Sequence, residues 1–462
     1  MDSKNRQKVI IVGAGISGLV AAYYLDKKGF EVEVYEKETH AGGTMDTQPK
    51  DGFILDLGPN SGLETTPLIR EICRDLGVEE EFVYANENAN KRYILKNGEL
   101  IPLPLNPKEL ISTKLFSNKA KLRLLLEPFI PPSTEGYSMS VAQFVTRRLG
   151  REILDYAIDP FVSGISAGDP WMLSVKSAFP KLYALEEKYG GLVKGLILGA
   201  KERKKRSEQS KSTAKMFSFK RGMHTIAAAL EYRLKNKIHF GVEVEKVLKS
   251  DNGYKIMYLE DGVYVKQDCD ILVLASPSYS VESLVSDIDA ELQRHLREIC
   301  YPPVIVMPLA YRAEAIKRHL DGFGFLIPNS EKKHFLGAIW SSSLFPNRAP
   351  DGSVLFTLFV GGARNTNIMA VEKEELTKIV VKEFNEIMGI EEMPQTIGAK
   401  LWKNAIPQYN IGHRAHEDYF VNIEKRFPGF YLTGNYRGGI ALGDCFMNSH
   451  ALSEKIHTEF QN

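Results

Sequence analysis

Apolar positions follow two rhythms along the chain. The run VIIV at 9–12 is unbroken, as in a strand buried on both faces, and a glycine-punctuated turn follows at 13–18. Helical spacing then occupies 19–28, and a second buried strand reads from 32 to 35. This strand, turn, helix and strand make one parallel α/β unit. From about 102 to 198 the strand pattern gives way to helical spacing at 115–126, 140–149, 152–161 and 184–198. Pro128, Pro131, Pro132, Pro160, Pro170 and Pro180 punctuate it, which predicts an inserted region of short helices. Strands return at 217–219, 238–247, 254–259 and 271–275. Apolar strands with aromatic content at 304–311, 324–327, 335–340 and 354–360 predict one broad sheet roofing a cavity.

The first turn carries specific chemistry. In Gly13-Ala14-Gly15-Ile16-Ser17-Gly18, Gly13 permits the tight turn, Gly15 lets a pyrophosphate approach the backbone, and Gly18 lets helix and strand pack closely. The helix N-terminus behind them stabilises the anion. Glu36 ends the second strand, placed to accept hydrogen bonds from a ribose 2′-OH, and the backbone of Val242, within FGVEV at 240–244, is placed to flank an adenine. A second glycine-rich turn lies far away, in YLTGNYRGGIALGDCFMNSHALSEKI at 431–456, where Tyr431 to Thr433 read as a short strand and a helix begins near Asp444. One turn for the adenosine half and one for the other half describe a long cofactor laid across a domain. FAD fits this better than NAD, and the second helix would aim its positive end where a reduced flavin gathers negative charge.

Composition narrows the class. With 462 residues, 44% hydrophobic and 25% charged, the chain can bury more than one core, and two or three domains are expected. A net charge of +1 offers no global field for nucleic acid. Cys73, Cys269, Cys300 and Cys445 show neither CxxC nor metal spacing, so a reducing compartment is expected and a disulfide framework is not. Cys445 lies in the cofactor turn, where it reads as a small buried residue. The leading MDSKNRQK runs directly into the first strand, so neither a signal nor a transit peptide is expected, and no run is long enough to cross a bilayer. The stretch KERKKRSEQSKSTAK at 201–215 follows apolar residues 192–198. It reads either as a solvated loop or, joined to the apolar segment, as a peripheral contact with anionic headgroups.

Together these stretches carry a family resemblance. GAGISGL with Glu36, ILDLGPNS at 54–61, KRYI from Lys91, SGISAGDP at 163–170, SSSLFPNRAP at 341–350, FVGGARN at 359–365, WKNAIPQYNIGH at 402–413 and LTGNYRGGIALGDC at 432–445 resemble the protoporphyrinogen oxidases, within the wider amine-oxidase-like flavoproteins. The resemblance implies an α/β fold with a Rossmann-type FAD-binding domain built from discontinuous segments (1–85, 215–295 and 412–462). It also implies a mixed-sheet substrate domain (86–100 and 296–411) and an inserted helical, membrane-binding domain (101–214). The implied cofactor contacts are Gly13, Ala14, Gly15, Ile16, Ser17, Gly18, Glu36, Lys37, Gly42, Gly43, Thr44, Gly58, Pro59, Asn60, Ser61, Val242, Glu243, Val244, Trp402, Gly434, Asn435, Gly439, Ile440 and Ala441. The implied substrate contacts are Arg92 for a propionate, Asn60 as a polar neighbour, Leu326, Ile339 and Phe359 as walls, and Gly168 close to the macrocycle. Two departures stand out. Thr44 occupies a position where the family usually has arginine or another large residue, so one phosphate or flavin contact must be made differently. Ser449 stands where glycine is common.

The implied reaction takes a porphyrinogen to the porphyrin by removing six electrons in three two-electron steps, with oxygen as acceptor and hydrogen peroxide as product. Aromaticity drives it, so little acid–base machinery is needed. The sequence accordingly offers no Ser-His-Asp arrangement, no HxxxH metal pair and no catalytic side chain beyond the flavin. The rival within the family is coproporphyrinogen III, which carries two propionates where protoporphyrinogen has two vinyl groups. Arg92 with at most Lys91 nearby favours the less acidic substrate. Amine oxidases and carotene desaturases leave AGDP and AIPQYNIGH unexplained, and a non-catalytic porphyrin-binding flavoprotein would need binding alone. The expected location is cytoplasmic, peripheral on the inner face of the cell membrane, and a homodimer is an assembly left open.

Overall fold

A computed structural model of the chain describes residues 6–206 and 214–460. At its centre is a five-stranded parallel sheet in the order Ile238–Phe240, Glu31–Glu36, Lys8–Val12, Ile271–Leu274, Phe430–Leu432. Segments far apart in the chain thus supply one sheet. Alternate residues of the first strand enter different cores, which is why the run reads as continuously apolar. Val9 and Ile11 pack with the helices Ile16–Lys27, His224–Leu234 and Leu442–Phe460. Ile10 and Val12 face Leu272, Leu274 and the helices Ala290–Arg297 and His413–Arg426.

The expected strand at 238–247 is two strands. Gly241, at φ +69°, breaks it, sending Ile238–Phe240 into the parallel sheet and Val244–Ser250 into a three-stranded antiparallel sheet with Gly253–Glu260 and Val263–Cys269. The last of these strands is mostly exposed, so its apolar signal is weak in the sequence.

All four strands expected to form a broad sheet do so. The order is Thr396–Ile397, Val304–Arg312, Ser353–Gly361, Phe335–Ile339, Gly322–Leu326, Lys91–Lys96, Glu99–Pro102, and Lys400–Trp402 also pairs with Val304–Arg312. One face of this sheet, with Tyr93, Phe325 and Leu358, packs on the helix Lys373–Met388 through Val380 and Phe384.

The middle of the chain is helical, with its own apolar core around Phe144, Leu154, Val162 and Tyr183. The helix expected at 152–161 runs on to Ser166, with a π-helical stretch at Leu154–Ile158 ahead of Pro160, where the usual hydrogen-bond pattern is already interrupted. The helix expected at 184–198 breaks at Gly190, φ +76°, into Pro180–Tyr189 and Leu192–Arg206. The second piece continues into the basic run, so the loop expected from 201 is helical as far as Arg206, and 207–213 lie outside the described residues. Fully buried Arg148 pairs with Glu186 and with Glu127 at 2.7 Å. Glu127 also accepts from the amides of Leu192 (2.7 Å) and Val193 (3.0 Å), placing a carboxylate on the positive end of that helix. Among the described residues no helix is long and apolar enough to cross a membrane.

A second buried ion pair ties together three separate stretches of chain, around 47–56, 218–223 and 348. The strand Phe53–Asp56 delivers Asp56, whose carboxylate accepts from Thr47 Oγ1 (2.6 Å) and Met223 N (2.9 Å) and lies 3.2 Å from Arg348. Arg348, in the FPNRAP stretch, also donates to Phe219 O (3.1 Å) and Ser218 Oγ (2.6 Å). Removing one partner leaves the other charged and dry, so Arg348→Ala should lose about 3–5 kcal/mol. A large drop in the chemical-denaturation midpoint is expected, and a drop no larger than that of an exposed control such as Arg312→Ala would refute this role.

Candidate active site

The glycine turn is held by close backbone contacts and by a few side chains. Gly13, at φ +106°, donates to Tyr35 O (2.8 Å), and a Cβ on Gly18 would lie 2.0 Å from Gly13 O. Gly15 differs. It starts the helix at φ −66°, and a Cβ there would meet nothing within 4 Å. That open space in front of a helix N-terminus is a cradle of the kind a pyrophosphate fills. Gly42 closes the cradle's side, donating to Ala14 O (2.9 Å) and bridging to Gly15, and a Cβ on Gly43 would lie 3.3 Å from Gly15 Cα. The Glu36 carboxylate accepts from Ala14 N (2.7 Å) and Glu38 N (3.0 Å), which fixes it at the cradle's edge with acceptor capacity to spare. Val242 N donates to Glu36 O (3.0 Å), setting that backbone beside the acid, while Glu243 and Val244 continue along it and Lys37 is exposed.

The turn from the other end of the chain arrives at the same place. Its helix begins at Leu442, two residues before the expected start at Asp444. Ser449, fully buried, donates to Ser17 O (2.9 Å) and so ties the two cofactor-side helices together where a glycine could not. Gly434 and Gly439 have φ +147° and +131°, and Tyr409 Oη links the turn, accepting from Gly439 N (2.8 Å) and donating to Asn435 O (3.0 Å). Tyr409 was not singled out in the sequence, although it lies in the AIPQYNIGH stretch. Between the two turns, a Cβ on Gly58 would lie 1.8 Å from Thr44 O, and Trp402 Nε1 donates to Leu57 O (2.7 Å). Close to Thr44 in sequence, Asp46 is paired with Lys400 at 2.6 Å. Buried Asn60 donates to Asp56 O (3.1 Å), but its Oδ1 has no protein partner. A buried acceptor left without a protein partner fits a ligand with its own donors, as a flavin ring has.

Facing this is one side of the mixed sheet. Strand register puts Arg92, Gly324 and Ile339 in one row, and Ile94, Leu326, Gly337 and Phe359 in the next. Residues two apart share a face, so Arg92, Leu326, Ile339 and Phe359 are brought to one surface to which Gly324 and Gly337 add no side chain. Ile339 reaches the cofactor side, lining a cavity of about 10 Å³ with Asp56, Asn60, Ser61, Arg348 and Thr357. The Asp159–Ser166 helix meets this face at Gly164, where a Cβ would lie 2.4 Å from Leu326 Cδ2. Arg92 is exposed and, among the described residues, forms no ion pair; its guanidinium lies 5.9 Å from the Phe323 ring, whereas Lys91 is paired with Asp321 at 2.5 Å. Gly168 is different. It is pressed against Gln408 and Ser166, where a Cβ would lie 2.6 and 2.8 Å from their oxygens, so its lack of a side chain serves packing.

Residues 16–447 match the flavin containing amine oxidoreductase family. The chain belongs to that family. The flavin oxidoreductase is 33% identical over 471 residues to protoporphyrinogen oxidase 2, chloroplastic/mitochondrial, of Arabidopsis thaliana, covering 96% of this chain and 92% of the relative. It is 29% identical over 463 residues to coproporphyrinogen III oxidase of Bacillus subtilis, covering 96% of each. In fold it is similar to the crystal structure of an Exiguobacterium protein provisionally named protoporphyrinogen oxidase, with a TM-score of 0.83, 22% identity and 100% of both chains covered. The cofactor of this oxidoreductase is FAD.

Two outcomes test the geometry. Gly15→Val fills only the open cradle, so the protein should fold and purify colourless, whereas Gly18→Val should not fold; full FAD occupancy in Gly15→Val would refute the placement. Cys445 is buried and its thiol is pushed up to about 11 by that burial, so at pH 8 it stays a protonated thiol. Iodoacetamide should modify exposed Cys300 before Cys445, as read by peptide mass.

Proposed function

We propose that this flavin oxidoreductase oxidises protoporphyrinogen IX to protoporphyrin IX with oxygen as acceptor, releasing hydrogen peroxide, in porphyrin biosynthesis. The carrying observation is the sheet face on which an uncommitted arginine, Arg92, stands at the edge of apolar Leu326, Ile339 and Phe359. A reduced tetrapyrrole is a broad apolar disc with anionic propionates, and such a face meets both needs. Bound FAD supplies a two-electron acceptor. The chain's residues grip and orient: Arg92 holds a propionate, the apolar side chains wall the disc, and Asn60 offers a fixed acceptor at the flavin side.

Coproporphyrinogen III is the second reading, and the Bacillus subtilis relative favours it. The two differ in charge. With Lys91 tied to Asp321, Arg92 stands without an ion pair among the described residues, and this suits a substrate with two propionates better than one with four. Arg92→Ala should weaken substrate binding by roughly 1.5–3 kcal/mol, the range for hydrogen bonds to charged groups, with FAD content unchanged. A KM within twofold of wild type would place Arg92 outside the site, and a higher kcat/KM for coproporphyrinogen than for protoporphyrinogen in the native enzyme would select the second reading.

The helical region supports a peripheral membrane contact. Ile111, Leu122, Leu125, Leu126 and Phe129 are exposed, Phe129 to 81%, and Leu196 and Ile197 are exposed ahead of the basic run. Apolar side chains at this density are covered in soluble proteins, and a sparingly soluble product gains from release into a bilayer. The domain limits drawn from the sequence, with 101–214 as the membrane-facing part, belong to this proposal, as does a location on the inner face of the cell membrane. Co-sedimentation with anionic liposomes should fall when Leu125 and Phe129 become serine. It should fall again when the basic residues of 201–206 become glutamine, by about 1 kcal/mol for each residue near the surface. Equal sedimentation of all variants, or none of the wild type at low salt, would refute the contact.

A further inference from the structure

A second polar concavity lies behind the C-terminal turn. It has a volume of about 410 Å³ and is lined by the end of the Ala290–Arg297 helix, by Asn410 to Gly412, and by the start of the His413–Arg426 helix. Three histidines stand in it. His295 Nδ1 and His416 Nδ1 face each other at 2.8 Å, and a carboxylate oxygen of Glu298 joins them so that the three donor atoms lie within 4.8 Å of one another. The third, His413, is 3% exposed and neither of its ring nitrogens makes a hydrogen bond among the described residues; Nε2 lies 3.7 Å from Glu417. Its ring stacks on Tyr409 at 4.1 Å, the tyrosine that links the glycine turn. None of these residues is used by the flavin cradle or the sheet face.

We infer that His295, His416 and Glu298 form a binding site for a divalent late transition-metal cation, Zn²⁺ being the best match. Two imidazoles and one carboxylate are a zinc donor set that leaves a fourth position open, here toward the cavity. The fit requires a small adjustment. Zinc–nitrogen distances of about 2.0–2.1 Å in a tetrahedron separate two nitrogens by roughly 3.3 Å, so the imidazoles must part by about half an ångström. Binding replaces the single proton they share, which passes to His295 Nε2. Arg294 is the group that opposes this, since it lies 3.2 Å from His295 Nε2 and 2.5 Å from Glu298. Its side chain is half exposed and also paired with Glu291 at 2.5 Å, so it can withdraw and keep a partner.

The cation would staple the 290–297 helix to the 413–426 helix beside the flavin turn. To test this, the FAD-loaded full chain is stripped with EDTA, desalted and titrated with ZnCl₂ by calorimetry and by thermal shift. One saturable site per chain is expected, with a rise in Tm that saturates at the same stoichiometry. Affinity should fall at least tenfold in His416→Gln and in Glu298→Gln, with flavin absorbance unchanged. Glu298 is exposed, so Glu298→Gln keeps the test decisive if His416→Gln fails to fold. Absence of saturable binding to the wild type, or a site whose affinity survives Glu298→Gln, would overturn the inference.

Discussion

The buried pair of Asp56 and Arg348 is the constraint that fixes the stretches around 47–56, 218–223 and 348 against one another. Burial alone pushes the Asp56 carboxyl up and the Arg348 guanidinium down, toward their neutral forms. Only the full set of partners, Thr47, Met223, Ser218 and Phe219 together with the pair itself, keeps both charges inside. Those partners come from three stretches of chain, so the pair forms only once all three have packed together. Asn60 hangs from the same strand end, its amide donating to Asp56 O, and the position of its free oxygen is set by that arrangement.

A second requirement is close backbone approach. At Gly18 and at Gly58 a side chain would overlap a carbonyl oxygen, and these contacts are what allow helix to meet strand and the Thr44 turn to meet the 54–61 segment. The two departures from the family pattern fit within this frame. Ser449 turns a helix-packing position into a hydrogen bond to Ser17, and Thr44 O is the carbonyl against which Gly58 packs.

The mixed sheet sends its two faces to different neighbours by strand parity. Its odd and even positions divide cleanly: Phe325 and Leu358 go to the helix-packed core, Leu326 and Phe359 to the face opposite. Arg92 owes its availability to the same geometry, because its neighbour Lys91 is spent on Asp321.

The sequence by itself determined the elements whose signal is local. The buried strand at 9–12, the glycine turn, Glu36 and the four apolar strands of the mixed sheet are written in spacing and composition, because burial on both faces and positive-φ turns restrict which residues can stand there. The helix broken at Gly190 and the strand broken at Gly241 were legible only as continuous apolar runs, since apolar spacing alone does not say where the chain turns. Tertiary structure decided the rest. That Tyr409 would bridge Asn435 and Gly439, that Arg348 would reach Asp56, and that His295 would meet His416 across 121 positions depends on contacts between residues far apart in the chain. No local propensity encodes such pairs, because their energy exists only once the segments have packed.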